Sequence, residues 1–158
     1  MPAVGDDSTQ TFVWYKPPAL QRLQVGAAYI WRTGDVRLLG NYDLAPETDT
    51  SPYLNLGFTF QDSFDDKVVP YVTTGKRFAL GSSRLNAYAG FVDRPNESHL
   101  HLVSGVRLTL EEQLFLGFQH TGHDVNYYVG AFAGPVSISL WARDGIAPGV
   151  LASFTIRQ

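Results

Sequence analysis

The sequence predicts an all-β protein, an antiparallel up-and-down closed β-barrel of about ten strands. Three observations support this prediction. Apolar and polar residues alternate with a period of two along most of the chain, as they do when successive side chains point to opposite faces of a strand. Polar, glycine-containing or proline-containing breaks separate the alternating runs at hairpin spacing. No stretch carries the 3.6-residue period of an amphipathic helix.

The clearest pattern lies in the segment that runs from His99 to Gln119. Apolar residues occupy one parity of its first run, namely Leu100, Leu102, Val106, Leu108 and Leu110. Glu111 and Glu112 interrupt the alternation, which resumes at Leu114. Two alternating runs around a tight polar break predict a β-hairpin.

The same alternation predicts ten strands in chain order, each bounded by residues that favour turns. These are residues 21–32, 36–44, 53–60, 68–74, 84–92, 99–110, 114–119, 127–133, 136–143 and 150–157. Residues 9–16 form a further, weaker run that stops at Pro17 and Pro18, because proline cannot donate to a β-ladder. Pro70 predicts an irregularity in the fourth strand, and residues 75–83 are predicted to be a connector.

Length and composition set the domain organisation and exclude several partners. We expect residues 1–8 to be a disordered N-terminal segment and residues 9–158 to form a single β-barrel domain. The net charge of −3 provides no general attraction for nucleic acid. No apolar run approaches the roughly 20 residues of a transmembrane helix. Residues 1–7 do not resemble a signal peptide, so we expect either a cytosolic protein or a mature or truncated form that lacks its leader.

The two faces of the predicted strands differ in composition. One face is almost entirely apolar, whereas the other carries Gly, Ser, Thr, Asn, Gln, Tyr, His and Arg, and the chain has only three lysines. The outer face of a soluble β-protein is normally rich in Lys, Glu and Asp. A transmembrane barrel directs its apolar face to lipid and its small and polar residues to the lumen. We therefore expect the strands to be transmembrane.

The segments RLTLEEQLFLGF and SSRLNAYAGF look like the strand, short turn and strand units of bacterial outer-membrane β-barrel proteins. At the level of architecture, nearly the whole chain resembles these porin-like proteins. The resemblance implies a location in the bacterial outer membrane with the lipid bilayer as partner. It also implies a structural, adhesive or narrow-pore role without catalysis.

Polar residues on the face opposite the lipid-facing one are the predicted lumen residues. They are Arg22, Gln24, Arg37, Asn41, Asp43, Arg84, Asn86, Arg107 and Gln119. An excess of arginine predicts a positive lumen that favours small anionic solutes. The alternative is a plugged interior, in which these arginines pair with Asp43, with loop carboxylates and with backbone carbonyls.

The sequence patterns that could indicate a metal site or a catalytic site are weaker than those that indicate the strands and their two faces. His99 and His101 lie two residues apart beside Glu97, a spacing that can hold a divalent metal, and His120, His123 and Asp124 form a second such group. Neither group is a full ligand set, so we expect no cofactor. The serines lie outside any G-x-S-x-G motif, so we assign no catalytic residue. Two alternatives stay open, a soluble lipocalin-like barrel that binds a small hydrophobic ligand and a membrane-embedded hydrolase.

Overall fold

The computed structural model describes residues 10–30, 33–60, 67–95, 97–134, 136–144 and 147–154. These residues form eleven β-strands. The strands are β1 (Gln10–Tyr15), β2 (Leu23–Ile30), β3 (Asp35–Ala45), β4 (Tyr53–Phe60), β5 (Val68–Leu80), β6 (Ser83–Asp93), β7 (Leu100–Leu110), β8 (Leu114–His120), β9 (Val125–Ala133), β10 (Val136–Arg143) and β11 (Ala147–Phe154). The predicted disorder of residues 1–8 and the predicted end of the last strand at residues 155–157 lie outside the described residues.

The strands form one antiparallel sheet in which every strand lies beside its neighbours in sequence, in the order β1 to β11. The all-β, antiparallel prediction is therefore confirmed. The prediction of a closed barrel of about ten strands is wrong, because β1 and β11 are the two ends of the sheet and are not paired with each other. None of the described residues belongs to a helix long and apolar enough to span a membrane.

The sheet has one strand more than the ten predicted. The weak run at residues 9–16 contains strand β1, in which Gln10 to Tyr15 pair with Ile30 to Val25. Adding this strand to the predicted ten makes the number odd. In an up-and-down sheet, an odd number leaves the first and last strands parallel. Closure would therefore need a parallel pair between β1 and β11, and the described residues form no such pair. Alternation shows which residues share a face, but it contains no information about whether the two ends meet.

The hairpin predicted around Glu111 and Glu112 is confirmed. Strands β7 and β8 pair from Ser104 opposite His120 to Leu110 opposite Leu114. Both glutamates adopt left-handed backbone conformations, with φ of 48° and 59°, and the Gln113 N–H donates to the Leu110 carbonyl at 3.0 Å. The left-handed region is costly for residues other than glycine, so this turn is held by the pairing of its two strands.

The connector predicted at residues 75–83 is much shorter than expected. Strand β5 continues to Leu80, and a two-residue turn at Gly81 and Ser82 leads into β6. Gly81 has a φ of +64°, which a glycine adopts without steric cost. The chain reverses direction at Gly81 and Ser82, so the residues before Gly81 continue β5 in the extended conformation.

The chain divides into two compact units, Met1–Thr74 with Gly90–His101 and Gly75–Ala89 with Leu102–Gln158. In the first unit, Ala28, Ile30 and Leu39 form a buried cluster against which Phe60 packs. In the second unit, Phe115 and Ser139 are buried. These buried residues all share the strand face that carries the predicted lumen residues, so burial and composition identify the same face.

Candidate functional site

The accessible face of the sheet is the apolar one, and in the second unit its residues occupy rows of paired register positions across five strands. The central row crosses β7 to β11 through directly opposed pairs and consists of Leu108, Leu116, Val129, Leu140 and Val150. A second row lies on one side of the central row and consists of Val106, Phe118, Tyr127, Ala142 and Pro148. A third row lies on the other side and consists of Leu110, Leu114, Ala131, Ile138 and Ala152. These three rows contain no charged residue, and we call them the apolar face.

Most large side chains of the apolar face are exposed, whereas Val106, Leu108 and Leu110 of β7 are half-buried. In the central row, Leu116, Val129, Leu140 and Val150 are 43 to 73% exposed. The first unit shows the same arrangement, because Val36, Leu38 and Tyr42 on alternate positions of β3 are exposed whereas Leu39 is buried. Contiguous apolar patches of this extent are unusual on monomeric soluble proteins and mark a surface that contacts lipid or another molecule.

Most of the predicted lumen residues lie on the less accessible face, as their parity requires. Gln24, Arg37, Asn41, Asp43, Asn86, Arg107 and Gln119 are half-buried. Arg22 and Arg84 are exposed instead. Arg84 forms an ion pair with Glu112 in which both side chains are about two-thirds exposed, so water screens it and it contributes little to stability.

In the first unit, the structure brings two of these residues into side-chain contacts. The Tyr71 hydroxyl donates to the Asn41 Oδ1 at 2.6 Å. Gly57 permits this contact, because a Cβ at that position would lie 2.5 Å from the Tyr71 ring. Arg37 donates from Nη2 to the Asp35 Oδ2 at 3.2 Å. The partner of Arg37 is thus Asp35, two residues away on the same strand face.

In the second unit, Arg107 lies among aromatic rings. Its guanidinium carbon is 4.4 Å from the centroid of the Phe115 ring and 5.2 Å from that of Phe132. Tyr128 stacks on Trp141 with the ring centroids 4.6 Å apart. A guanidinium within about 6 Å of a ring centroid is attracted by the negative ring face, by about 2 kcal/mol or more when water is excluded. The aromatic rings therefore stabilise the charge of Arg107.

The two weak metal candidates are adjacent. The rings of His99 and His101 have centroids 4.4 Å apart. The buried His101 places its Nε2 2.5 Å from the Glu97 Oε2. This contact links β7 to the residues that precede it. Among the serines considered for catalysis, Ser139 is buried and its Oγ accepts a hydrogen bond from the Trp141 Nε1 at 2.8 Å.

One cavity in the first unit contains a predicted lumen residue. It has a volume of about 610 Å³ and is lined by Asp35, Val36, Arg37, Leu38, Phe58, Thr59, Phe60 and Val68. Asp35 begins β3, Phe60 ends β4 and Val68 begins β5. In an antiparallel sheet these three positions lie at the same end of the strands, so the cavity lies at one end of the sheet.

Sequence reasoning missed the ion-pair partners Asp35 and Glu112 and the aromatic surroundings of Arg107. Alternation did place Phe115, Tyr128 and Trp141 on the same face as Arg107. The missing information was the register, which sets Arg107 opposite Gly117 and Gly117 opposite Tyr128. A glycine between two long side chains on one face is the sequence signal that could have indicated their proximity.

Comparisons with protein families, with curated proteins and with solved structures find no match for this chain. Any statement about its function therefore depends on its own residues, and the exposed apolar face is the most informative feature among them.

Proposed function

We propose that this protein is a bacterial outer-membrane protein that places the apolar face of its sheet in contact with lipid. Its role there is structural or solute-binding, without catalysis. A pore is not part of the proposal, because a pore needs a closed wall and the sheet is open.

The observation that carries the proposal is the exposure of the apolar face. Each large side chain that water would surround costs free energy, at about 25 cal/mol per Å² of apolar surface. Leu114 and Leu116 of β8 and Ile138 and Leu140 of β10 are all more than two-fifths exposed, and the apolar-face residues of β9 between them include no charged residue. Lipid chains remove this cost. The half-buried opposite face supplies the polar groups, the reverse of the arrangement in a soluble β-protein.

Strand length is compatible with a bilayer. In β7, the residues of apolar parity extend from Leu100 to Leu110, about 34 Å along the strand at about 3.4 Å per residue. A strand tilted by about 45° would then cover a height of about 24 Å, close to the apolar band of about 25 Å in outer-membrane proteins.

A bilayer also imposes a requirement on the two ends of the sheet. Strands β1 and β11 each pair with one neighbour only. In hydrocarbon, each unpaired backbone N–H or C=O costs several kcal/mol. The proposal therefore requires that the outer edges of β1 and β11 are hydrogen-bonded to other strands when the protein is in the membrane.

The alternative of a soluble protein with an internal hydrophobic pocket is less favoured. Such a protein would turn its apolar face inward, whereas Leu100 and Leu102 of β7 and Leu114 of β8 are exposed. No specific observation favours a hydrolase. We therefore retain the lipid-contacting protein as the conclusion.

Vesicle flotation of the purified chain tests the proposal. The chain is refolded from urea either with phosphatidylcholine vesicles or in buffer, and each sample is centrifuged through a density gradient. We expect the chain to float with vesicles and to have the far-UV circular dichroism of a β-protein, and to aggregate without lipid or detergent. A monodisperse β-rich protein in buffer that stays at the bottom of the gradient would overturn the proposal.

A further inference from the structure

The two end strands of the sheet lack the charges that keep β-sheet edges apart. Within the described residues, β1 pairs only with β2, and β11 pairs only with β10. Strand β1 reads QTFVWY and β11 reads APGVLASF, so neither contains a charged residue. Edge strands of soluble proteins commonly carry charged residues, above all lysine, because these prevent another strand from pairing with the free backbone groups. Both ends of this sheet are therefore suited to pairing.

The two edges are also similar in length and in apolar character. Strand β1 has six residues, and the side chains of Phe12, Val13, Trp14 and Tyr15 are each more than two-fifths exposed. Strand β11 has eight residues, of which the second, Pro148, has no N–H to donate to a ladder. The residues from Gly149 to Phe154 keep their donors and acceptors. Pro148 thus limits pairing at the start of β11 and leaves the rest of the strand available.

The proposed lipid contact sets two conditions on a second copy of the chain that covers the β1 edge. Copies that insert from the same side of a bilayer share one strand direction. Their apolar sides must also lie on the same side of the joined sheet, because the opposite side is the polar one. Val13 of β1 lies opposite Ala27, on the same side of the sheet as the exposed Tyr29. Val150 of β11 lies in the central row of the apolar face.

These conditions determine which edge of the second copy can meet β1. Antiparallel pairing of two β1 strands keeps the apolar sides together but inverts one copy in the bilayer. Parallel pairing of two β1 strands keeps the direction but places the apolar sides on opposite sides of the joined sheet. Pairing of β1 with β11 of the other copy meets both conditions, because the first and last of eleven up-and-down strands run in the same direction.

We propose that β1 of one copy of this chain pairs in parallel with β11 of a second copy, so that the sheet continues from chain to chain. This inference rests on the proposed lipid contact, since unpaired backbone groups are most costly in hydrocarbon. Each copy supplies one edge of each kind. A head-to-tail contact of this type can repeat from copy to copy, so one kind of interface covers both edges.

Cysteine cross-linking in vesicles tests the inference, and the chain has no cysteine of its own. Two single variants are prepared, Val13→Cys in the middle of β1 and Val150→Cys in the middle of β11. These side chains are 65% and 73% exposed, so neither substitution removes a buried contact. The two variants are refolded together into phosphatidylcholine vesicles and treated with a short bismaleimide, which tolerates small shifts of register. Far-UV circular dichroism establishes that each variant folds.

The expected product is a cross-linked dimer that forms only in the mixture. Either variant alone should give at most about a tenth as much dimer, because a head-to-tail contact never brings two like positions together. A mixture of Val13→Cys and Val129→Cys is the matched control. Val129 lies in the same row as Val150, two strands inside the edge, and is 54% exposed. We expect this mixture to give no more dimer than the single variants.

Four results would overturn the inference. The mixture of Val13→Cys and Val150→Cys could give no dimer, or Val13→Cys alone could give as much, which would indicate pairing of two β1 edges. The control with Val129→Cys could give as much dimer, which would indicate random contact. The double variant Val13→Cys/Val150→Cys could form an internal cross-link, seen as a faster-migrating monomer, which would indicate that the two ends of one chain meet.

Flotation of the same samples separates this inference from the proposed function. Chains that float with the vesicles but give any of these four results would overturn the pairing between copies alone. Chains that do not float would overturn the lipid contact, and the inference with it.

Discussion

Replacement of Leu140 by arginine should discriminate strongly between a lipid-facing and a water-facing apolar face. Leu140 lies in the central row of the apolar face, directly between Val129 and Val150 on the neighbouring strands. Its side chain is 58% exposed. Leu140→Arg therefore introduces a charge at a position where no buried contact of comparable size is lost.

The expected magnitude depends on what surrounds this position. At an exposed position in water, such a substitution changes the free energy of unfolding by only about 0.5 kcal/mol in either direction. Near the middle of a bilayer, arginine on the lipid face costs about 2–4 kcal/mol. That range corresponds to a reduction of the folding equilibrium constant by about 30- to 900-fold.

Urea titration of the protein folded into phosphatidylcholine vesicles measures this free energy, with tryptophan fluorescence as the signal. Leu140→Ala serves as a control for lost apolar surface, and Thr50→Arg, at an exposed loop position, serves as a control for added charge. We expect Leu140→Arg to be far less stable than both controls in vesicles.

The reasoning would be refuted if Leu140→Arg and Thr50→Arg had the same stability in vesicles. A partner protein that covers the apolar face could also make Leu140→Arg unfavourable. Flotation of the purified, unmodified chain with vesicles that contain no other protein distinguishes the two cases, since a face reserved for a protein partner would not hold the chain on lipid.

Three further predictions concern the sheet itself. Gly57→Ala should lower the free energy of unfolding by about 1–3 kcal/mol, because the new Cβ would lie 2.5 Å from Tyr71 ring atoms. The control Gly149→Ala should change this free energy little, because the space around Gly149 is open. Equal urea midpoints for the two variants would contradict the prediction. Glu111→Gly should raise the free energy of unfolding by about 1 kcal/mol, because Glu111 has a φ of 48° and glycine adopts the left-handed conformation without the steric cost of a side chain. A urea midpoint below that of the unmodified chain would contradict this prediction. In vesicles, the β1 amides that face away from β2 should exchange slowly with deuterium if another strand covers this edge, and rapid exchange would show that the edge is bare.

The amino-acid sequence was sufficient to define the β class, most strand positions and the two faces. In β7 and β8, alternate leucines and a polar pair at Glu111 and Glu112 determined the strands and their turn. This succeeded because a period of two is a local property of an extended backbone. The sequence pattern was less clear for β1 and for the continuation of β5 to Leu80. Pairing with the neighbouring strands, and not an alternation of their own, keeps these segments extended.

Only the tertiary structure decided which residues meet across strands and whether the sheet closes. The composition of the two faces had already predicted that the apolar face points outward, and the structure supplied the degree of exposure of Leu116 and Leu140. Arg37 contacts Asp35, and Arg107 lies over Phe115, because of rotamers and of a register that no single strand encodes. Closure depends on whether the two end strands pair with each other, which no single strand encodes, and β1 and β11 are not paired with each other in the described part of the chain.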